Sequence, residues 1–315
     1  MAGLTSRRAA STAMNLLIQM LGAAGVSSGN TYYVDNGVGS NSAGYGGSPG
    51  KPLASIDYAV GLCTANNGDT IVAMAGHVET ITAANGLDLD VAGIKVVGLG
   101  VGASRPRLSV GTVVGAGIRI NAASVWLEHV LITGDLDNIT TVLTINGVAD
   151  CVLLNIIYRD VTGQCAKFLH AANNSDRLRI TNFRHIGDSA AGSTHSCTFD
   201  GCDDLIFEDF HITGNFSTAA VGFITTASAR VTVRAANGRP SKVWNQNSAD
   251  VCFVDTITGS TGDFCGPIHL HLTDNAANIT EAITGATFTL YDDIFVCNLA
   301  GEKAMLINWT ASTDA

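Results

Sequence analysis

Charge is scarce in this chain of 315 residues: Asp, Glu, Lys and Arg together make up 14%, and aromatic residues only 6%. The few charges lean acidic, to a net charge of −10. The sequence therefore carries no overall electrostatic footprint for nucleic acid or for an anionic membrane. The mostly apolar run from Ala13 to Val26 is too short and too interrupted to span a bilayer. Eight cysteines are present, but no CxxC pair and no metal-ligand spacing occurs among them. Scattered through apolar segments, they are expected as free, buried thiols in a protein folded in a reducing compartment. Trp126, Trp244 and Trp309 form no stripe, which counts against a sugar-binding groove.

What the chain does have is a period. Val125, Val152, Leu178, Leu205 and Val231 recur at steps of 27, 26, 27 and 26 residues. Leu127, Leu154, Ile180, Phe207 and Val233 form a second column in the same register, and Val130, Ile157, Phe183, Phe210 and Ala236 a third. A fixed period of this size marks a solenoid, in which each unit buries its apolar face only by stacking on its neighbours. Within each unit the alternation is that of a strand. The segments between columns are rich in Gly, Asn, Asp, Ser and Thr, as at Asn146–Asp150, which are turn residues and leave no room for a helix per unit. That excludes a leucine-rich repeat, and the period is too short for a propeller blade. The expectation is an all-β, single-stranded, right-handed parallel β-helix spanning residues 31–262. Residues 263–315, where the register fades, are expected as a separate β-rich cap or oligomerisation element.

Residues 1–30 are expected as an anchor helix or arm. Leu4, Met14, Leu17, Ile18 and Leu21 fall on one side of an amphipathic helix, and Asn15 and Gln19 interrupt what would otherwise outline a secretory signal. Beyond it, Tyr32-Tyr33-Val34-Asp35 reads as a strand. Residues 52–63 have helical spacing, at Ile56, Ala59, Val60 and Cys63, with Ser55 as the cap. The series YYVDN, KPLASIDYAV and NNGDTIVAMAGHVE, from Tyr32 to Glu79, resembles the opening of pectate-lyase-like β-helix proteins. That superfamily includes polysaccharide lyases, polygalacturonases and many bacteriophage tailspikes and virion proteins. The resemblance implies that the helix near 52–63 plugs the N-terminal end of the coil, where an open edge would invite aggregation.

The candidate chemistry is a set of acids on consecutive turns. Asp150, Asp176 and Asp203 precede the first apolar column by two positions, with Asp204 beside them among Ser124, Cys151, Arg177 and Arg230. Acids stacked at the spacing of adjacent strands can split into acid and base roles, as glycoside hydrolysis requires. The competing reading is a turn residue at each corner, bonded to backbone and offset by arginines. The family's Asn-Thr-Asp, Gly-His-Gly and Arg-Ile-Lys elements are absent in their order, as is a Ca²⁺ cluster with a following Arg base. His185 and His211 lie in consecutive turns and His269 and His271 alternate on one strand, but no third ligand accompanies either pair. No metal or cofactor is expected. The sequence is read as a non-enzymatic structural protein of a bacteriophage virion, a capsid-decoration, head-fibre or tail-associated subunit. Its partners would be other virion proteins and further copies of itself, a trimer among the options. The alternative is an extracellular protein, tailspike-like or lyase-like, that binds or degrades polysaccharide through Asp150, Asp176, Asp203 and Asp204.

Overall fold

The computed structural model describes residues 29–190, 192–247, 251–257, 259–273, 283–284, 287–291, 293–297 and 303–306. The expected anchor residues Leu4, Met14, Leu17, Ile18 and Leu21 lie outside the described residues. From Thr31 onward the chain coils as the expected parallel β-helix, with three strands to a turn. The first sheet begins with Thr31–Val34, Thr70–Ala73 and Lys95–Gly98, and ends with Thr261–Cys265 and Thr287–Tyr291. The second begins with Val78–Ile81, Arg107–Val110 and Leu131–Gly134, and ends with Ser241–Asn245, Ile268–Leu272 and Ile294–Cys297. The third has eight strands, from Leu87–Leu89 to Ile283–Thr284. Two long strands, Arg179–Ile186 and Ile206–Gly214, run through the first and second sheets without a break.

Alternate residues point inward and stack from turn to turn. In the first sheet one such column is Ile71, Val96, Leu127, Leu153, Ile180, Phe207, Val233, Phe264 and Leu290, all buried. Each buried side chain contributes about 1.5–3 kcal/mol of burial before chain entropy is subtracted. Ten of the eleven phenylalanines are buried; Phe295, 40% exposed, is the exception. All eight cysteines are free, and Cys151, Cys165, Cys197, Cys202 and Cys252 are buried.

The columns differ from the expected ones at two turns. Cys151, Leu153 and Ile156 point inward where Val152, Leu154 and Ile157 were expected. In the fully apolar run Cys-Val-Leu-Leu, either alternation reads equally well from sequence. At the later turn Ala236 is exposed, and Ser241 takes the inward place next to Phe210, whose N–H donates to Ser241 Oγ at 3.3 Å. Residues 235–240 are an insertion that bulges out of the coil. The parallel ladders also continue past Gly262: Thr261–Cys265 pairs in parallel with Thr287–Tyr291, and Ile268–Leu272 with Ile294–Cys297. Strand Lys303–Leu306 then turns back antiparallel on Ile294–Cys297.

Ile56–Val60 is a short helix at the N-terminal end, with Ser55 Oγ accepting from the Tyr58 N–H at 3.3 Å. It stands where a strand of the third sheet would precede Leu87–Leu89, and Asp57 Oδ1 accepts the Asp88 N–H at 3.3 Å. The helix is tied down from inside the coil. Glu79 Oε2 accepts the Ile56 N–H at 2.8 Å and lies 3.2 Å from His77 Nε2, while His77 Nδ1 accepts the Asn36 N–H at 3.0 Å. Glu79→Ala strands two buried donors at once. It is expected to cost about 1–3 kcal/mol, read as a lower urea midpoint with an unchanged slope.

Candidate functional site

The four candidate acids lie on the corner between the third and first sheets, and each accepts a hydrogen bond from a residue of a neighbouring turn. Their stacking differs from the expected one. The vertical column is Ser124, Asp150, Arg177, Asp204 and Arg230, joined by corner hydrogen bonds such as Asp150 N to Asp176 O and Arg177 N to Asp203 O. All five adopt left-handed backbone, with φ between 53° and 63°. That region costs a residue other than glycine about 1 kcal/mol or more, and Asp tolerates it better than most. The stack recovers some of this through side chains. Arg177 forks onto Asp150 at 2.6 and 2.9 Å, and Arg230 onto Asp204 at 2.6 and 2.9 Å. Asp176 and Asp203 sit one position earlier, where Asp176 Oδ1 accepts the Asp203 N–H and Asp203 Oδ1 the Ala229 N–H. Hydrogen bonds from Arg177 hold Asp150 below the usual carboxylate range, and those from Arg230 do the same for Asp204. Neither acid is poised to give a proton near neutral pH.

The outer face of the second sheet has a different character. One outward column runs Arg107, Leu131, Ile157, Arg184, His211, Lys242, His269 and Phe295. The other runs Ser109, Thr133, Arg159, Ile186, Thr213, Trp244, His271 and Cys297. Among the described residues of these two columns stand four permanent cations and three histidines, and no Asp or Glu. From Leu131 to Phe295 is six rungs, about 29 Å at the ~4.8 Å spacing of paired strands.

Two hollows lie along this face. Toward its C-terminal end, a hollow of about 320 Å³ is lined by His211, Lys242, Trp244, His269, His271 and Cys297 among others. Trp244, 38% exposed, stacks on His271 with ring centroids 5.1 Å apart and planes 22° apart, and its Nε1–H donates to Thr273 Oγ1 at 3.1 Å. Phe295 stands edge-on to His269 at 5.3 Å. Partial burial, then the Arg184 and Lys242 charges, hold His211 below the ordinary imidazole range. Burial and Lys242 do so for His269, and burial alone for His271.

Toward the N-terminal end, a hollow of about 420 Å³ lies between Leu131, Ile157 and Arg159 on the sheet and the overhanging turn Val101–Ala103, with Arg105 at its side. Arg105 is held in place. Its Nη2 donates to Asn155 Oδ1 at 3.0 Å and to His129 Nδ1 at 3.2 Å. His129 Nε2–H donates to Gly100 O at 2.6 Å, which fixes the tautomer and leaves Nδ1 to accept. His129, Asn155, Asn182 and Asp209 form a second left-handed corner column, between the first and second sheets. Among the described residues no group of three or more His, Cys, Asp or Glu is arranged to hold a metal ion.

His185 and His211 do lie on consecutive turns one position apart, but on opposite faces of the sheet. His185 is an interior residue, wholly buried, whose Nδ1 lies 2.8 Å from Ser196 Oγ. The basic, aromatic face itself was hidden by the insertion at 235–240, which moves Lys242 and Trp244 out of the 26- to 27-residue register shared by Arg184 and His211. With that loop removed, the column is readable.

No family model and no curated protein matches this sequence. Among solved structures, a rhamnogalacturonan lyase aligns over 76% of this chain and 74% of its own, at 15% identity and a TM-score of 0.46. The likeness is of the solenoid fold alone.

Proposed function

We propose that this protein is a rigid β-helical rod that binds an extended acidic polysaccharide along the outer face of its second sheet, without cleaving it. One observation carries the reading: on a chain of net charge −10, the two outward columns of this sheet hold Arg107, Arg159, Arg184 and Lys242 and no acid. Carboxylates or sulfates on a ligand would meet those cations, while Trp244 offers a flat apolar surface to a sugar ring. A pyranose repeat of roughly 5 Å is commensurate with the ~4.8 Å rungs, so each sugar would meet one rung. Nucleic acid fits less well: duplex DNA brings a charge every ~1.7 Å, far denser than the cations here. Among the described residues the two outward columns themselves hold no carboxylate pair of the kind used in glycoside hydrolysis; Asp135, which accepts from Ser109 Oγ, and Asp160 stand at their edge, and the acids at the opposite corner are committed to Arg177, Arg230 and backbone.

The structural role expected from the sequence enters here only as a mount. A rod fixed through residues 1–30 to a larger particle, as a virion subunit would be, would present this face outward.

The test uses polygalacturonate as the acidic probe and dextran as the neutral one. Polygalacturonate is expected to shift the Trp fluorescence and to bind more weakly as salt rises, since the exposed charges are screened within about 10 Å at 0.1 M. Arg184→Glu with Lys242→Glu is expected to weaken binding by about two orders of magnitude, because like charges then face the ligand. No unsaturated or reducing ends should appear. Equal binding of dextran, preferred binding of single-stranded DNA, or release of fragments would each overturn the reading.

A further inference from the structure

We propose that ligand binding on this face takes up protons at His211, His269 and His271, so that its affinity for acidic polysaccharide rises as the pH falls from neutral to mildly acidic. This inference rests on the binding role proposed above. The three imidazoles line one hollow, and among the described residues their neighbours within the two columns are cationic, aromatic or neutral. His211 stands between Arg184 below and Lys242 above in its own column. His269 stands between Lys242 and Phe295, and His271 between Trp244 and Cys297. No carboxylate in either outward column faces them.

Among the described residues, the surroundings of these histidines favour the neutral ring. Partial burial disfavours the imidazolium, and for His211 and His269 the neighbouring cations disfavour it further. A bound polyanion reverses the sign of that environment. Its carboxylates or sulfates would lie against the same hollow, offset Arg184 and Lys242, and favour the protonated ring. A site whose ligand raises the proton affinity of a group must bind that ligand more tightly at lower pH, by reciprocity of the two equilibria. Each proton taken up steepens the dependence by as much as about tenfold per pH unit. The face would thus grip in an acidified medium and loosen at neutrality, while Arg184 and Lys242 supply a constant background attraction.

The experiment is titration calorimetry of the full chain with polygalacturonate at about pH 7.5 and about pH 5.5, either side of the ordinary imidazole range, at fixed ionic strength. Each titration is repeated in two buffers of different ionisation enthalpy. Dextran sulfate, whose charge does not change over this range, is the second probe. The expected result is binding about tenfold or more tighter at the lower pH for both probes, with net proton uptake. The H211Q/H269Q/H271Q variant, checked for native circular dichroism, should lose that pH dependence. Equal affinity at both pH values without proton uptake would overturn the inference and leave the binding role standing. An undiminished pH slope in the triple variant would also overturn it. Failure of either probe to bind at both pH values would remove the binding role as well.

Discussion

Phe207→Asp is expected to abolish folding. Phe207 is wholly buried in the inward column of the first sheet, and it sits at the crowded middle of the coil. Its ring stacks on Phe210 at 4.4 Å and 18°, and meets Phe199 at 6.0 Å and Phe183 at 6.1 Å. Truncating a buried Phe costs about 3–5 kcal/mol through lost burial and an unfilled cavity. Asp adds an unpaired carboxylate among the rings of Phe183, Phe199 and Phe210, a penalty of several kcal/mol more. The sum rivals the whole stability of an ordinary domain, about 5–15 kcal/mol. In a solenoid the damage spreads, because each turn is a neighbour's only cover. The expected readout is loss of the soluble fraction on expression. Phe207→Leu should remain soluble with β-type circular dichroism. A soluble Phe207→Asp protein with native dichroism would mean that this column is not the core.

The second large effect is expected on the outside of the first sheet. The Glu208 side chain is 2% exposed, roofed by Arg179 and Arg234, which bond it at 2.5 and 2.8 Å and are themselves 49% and 41% exposed. Thr181 Oγ1 donates to the same carboxylate at 2.9 Å. Burial pushes the Glu208 carboxyl up, but the hydrogen bonds from Arg179, Arg234 and Thr181 together outweigh it and hold the group below its ordinary value. In Arg179→Ala with Arg234→Ala, the carboxylate loses both cations and keeps Thr181 as its donor. Breaking a fully buried pair costs about 3–5 kcal/mol; here water is one side chain away, so about 2–3 kcal/mol is expected at neutral pH.

The pH dependence gives this prediction its sign. In the wild type, a depressed carboxyl contributes stability that is present above its unfolded pKa, near 4.5, and is lost as the pH falls through the folded value. In the double variant the carboxyl rises, and protonation relieves the unpaired charge. The gap between the two proteins in urea unfolding should therefore be widest at neutral pH and close in acid. A gap that stays constant down to the acid limit would show that the arginines act by packing rather than by charge.

Much of this molecule was legible because a solenoid repeats its reasons. The inward columns Leu178–Leu205–Val231 and Ile180–Phe207–Val233 are apolar on every turn, with polar Arg179 and Thr232 between them on two of the three, so period and face follow together. Legibility failed where alternation was not forced. Cys151, Val152, Leu153 and Leu154 are all apolar, and only the pairing of Val152 with Trp126 and Arg179 decides which pair points inward. It failed again at residues 235–240, whose insertion displaced Lys242 and Trp244 from their column and with them the basic face. Past Gly262 the strands themselves were readable, but not their partners, because parallel pairing between distant segments leaves no local mark. The acids at the corner were conspicuous for another reason: a left-handed corner favours Asp, and the same preference imitates a catalytic row.

The equivalence of successive turns makes this molecule a ruler. The strand starting at Val152 pairs with Arg179 and that in turn with Ile206, 27 residues apart each time, and both ends of the coil carry their own closures, the helix Ile56–Val60 and the antiparallel strand Lys303–Leu306. A gain or loss of one whole turn in the middle exposes no new edge and leaves both closures intact. Reach can therefore change in steps of about 4.8 Å, and a lineage of such coils can be graduated in length, turn by turn, without redesigning either end.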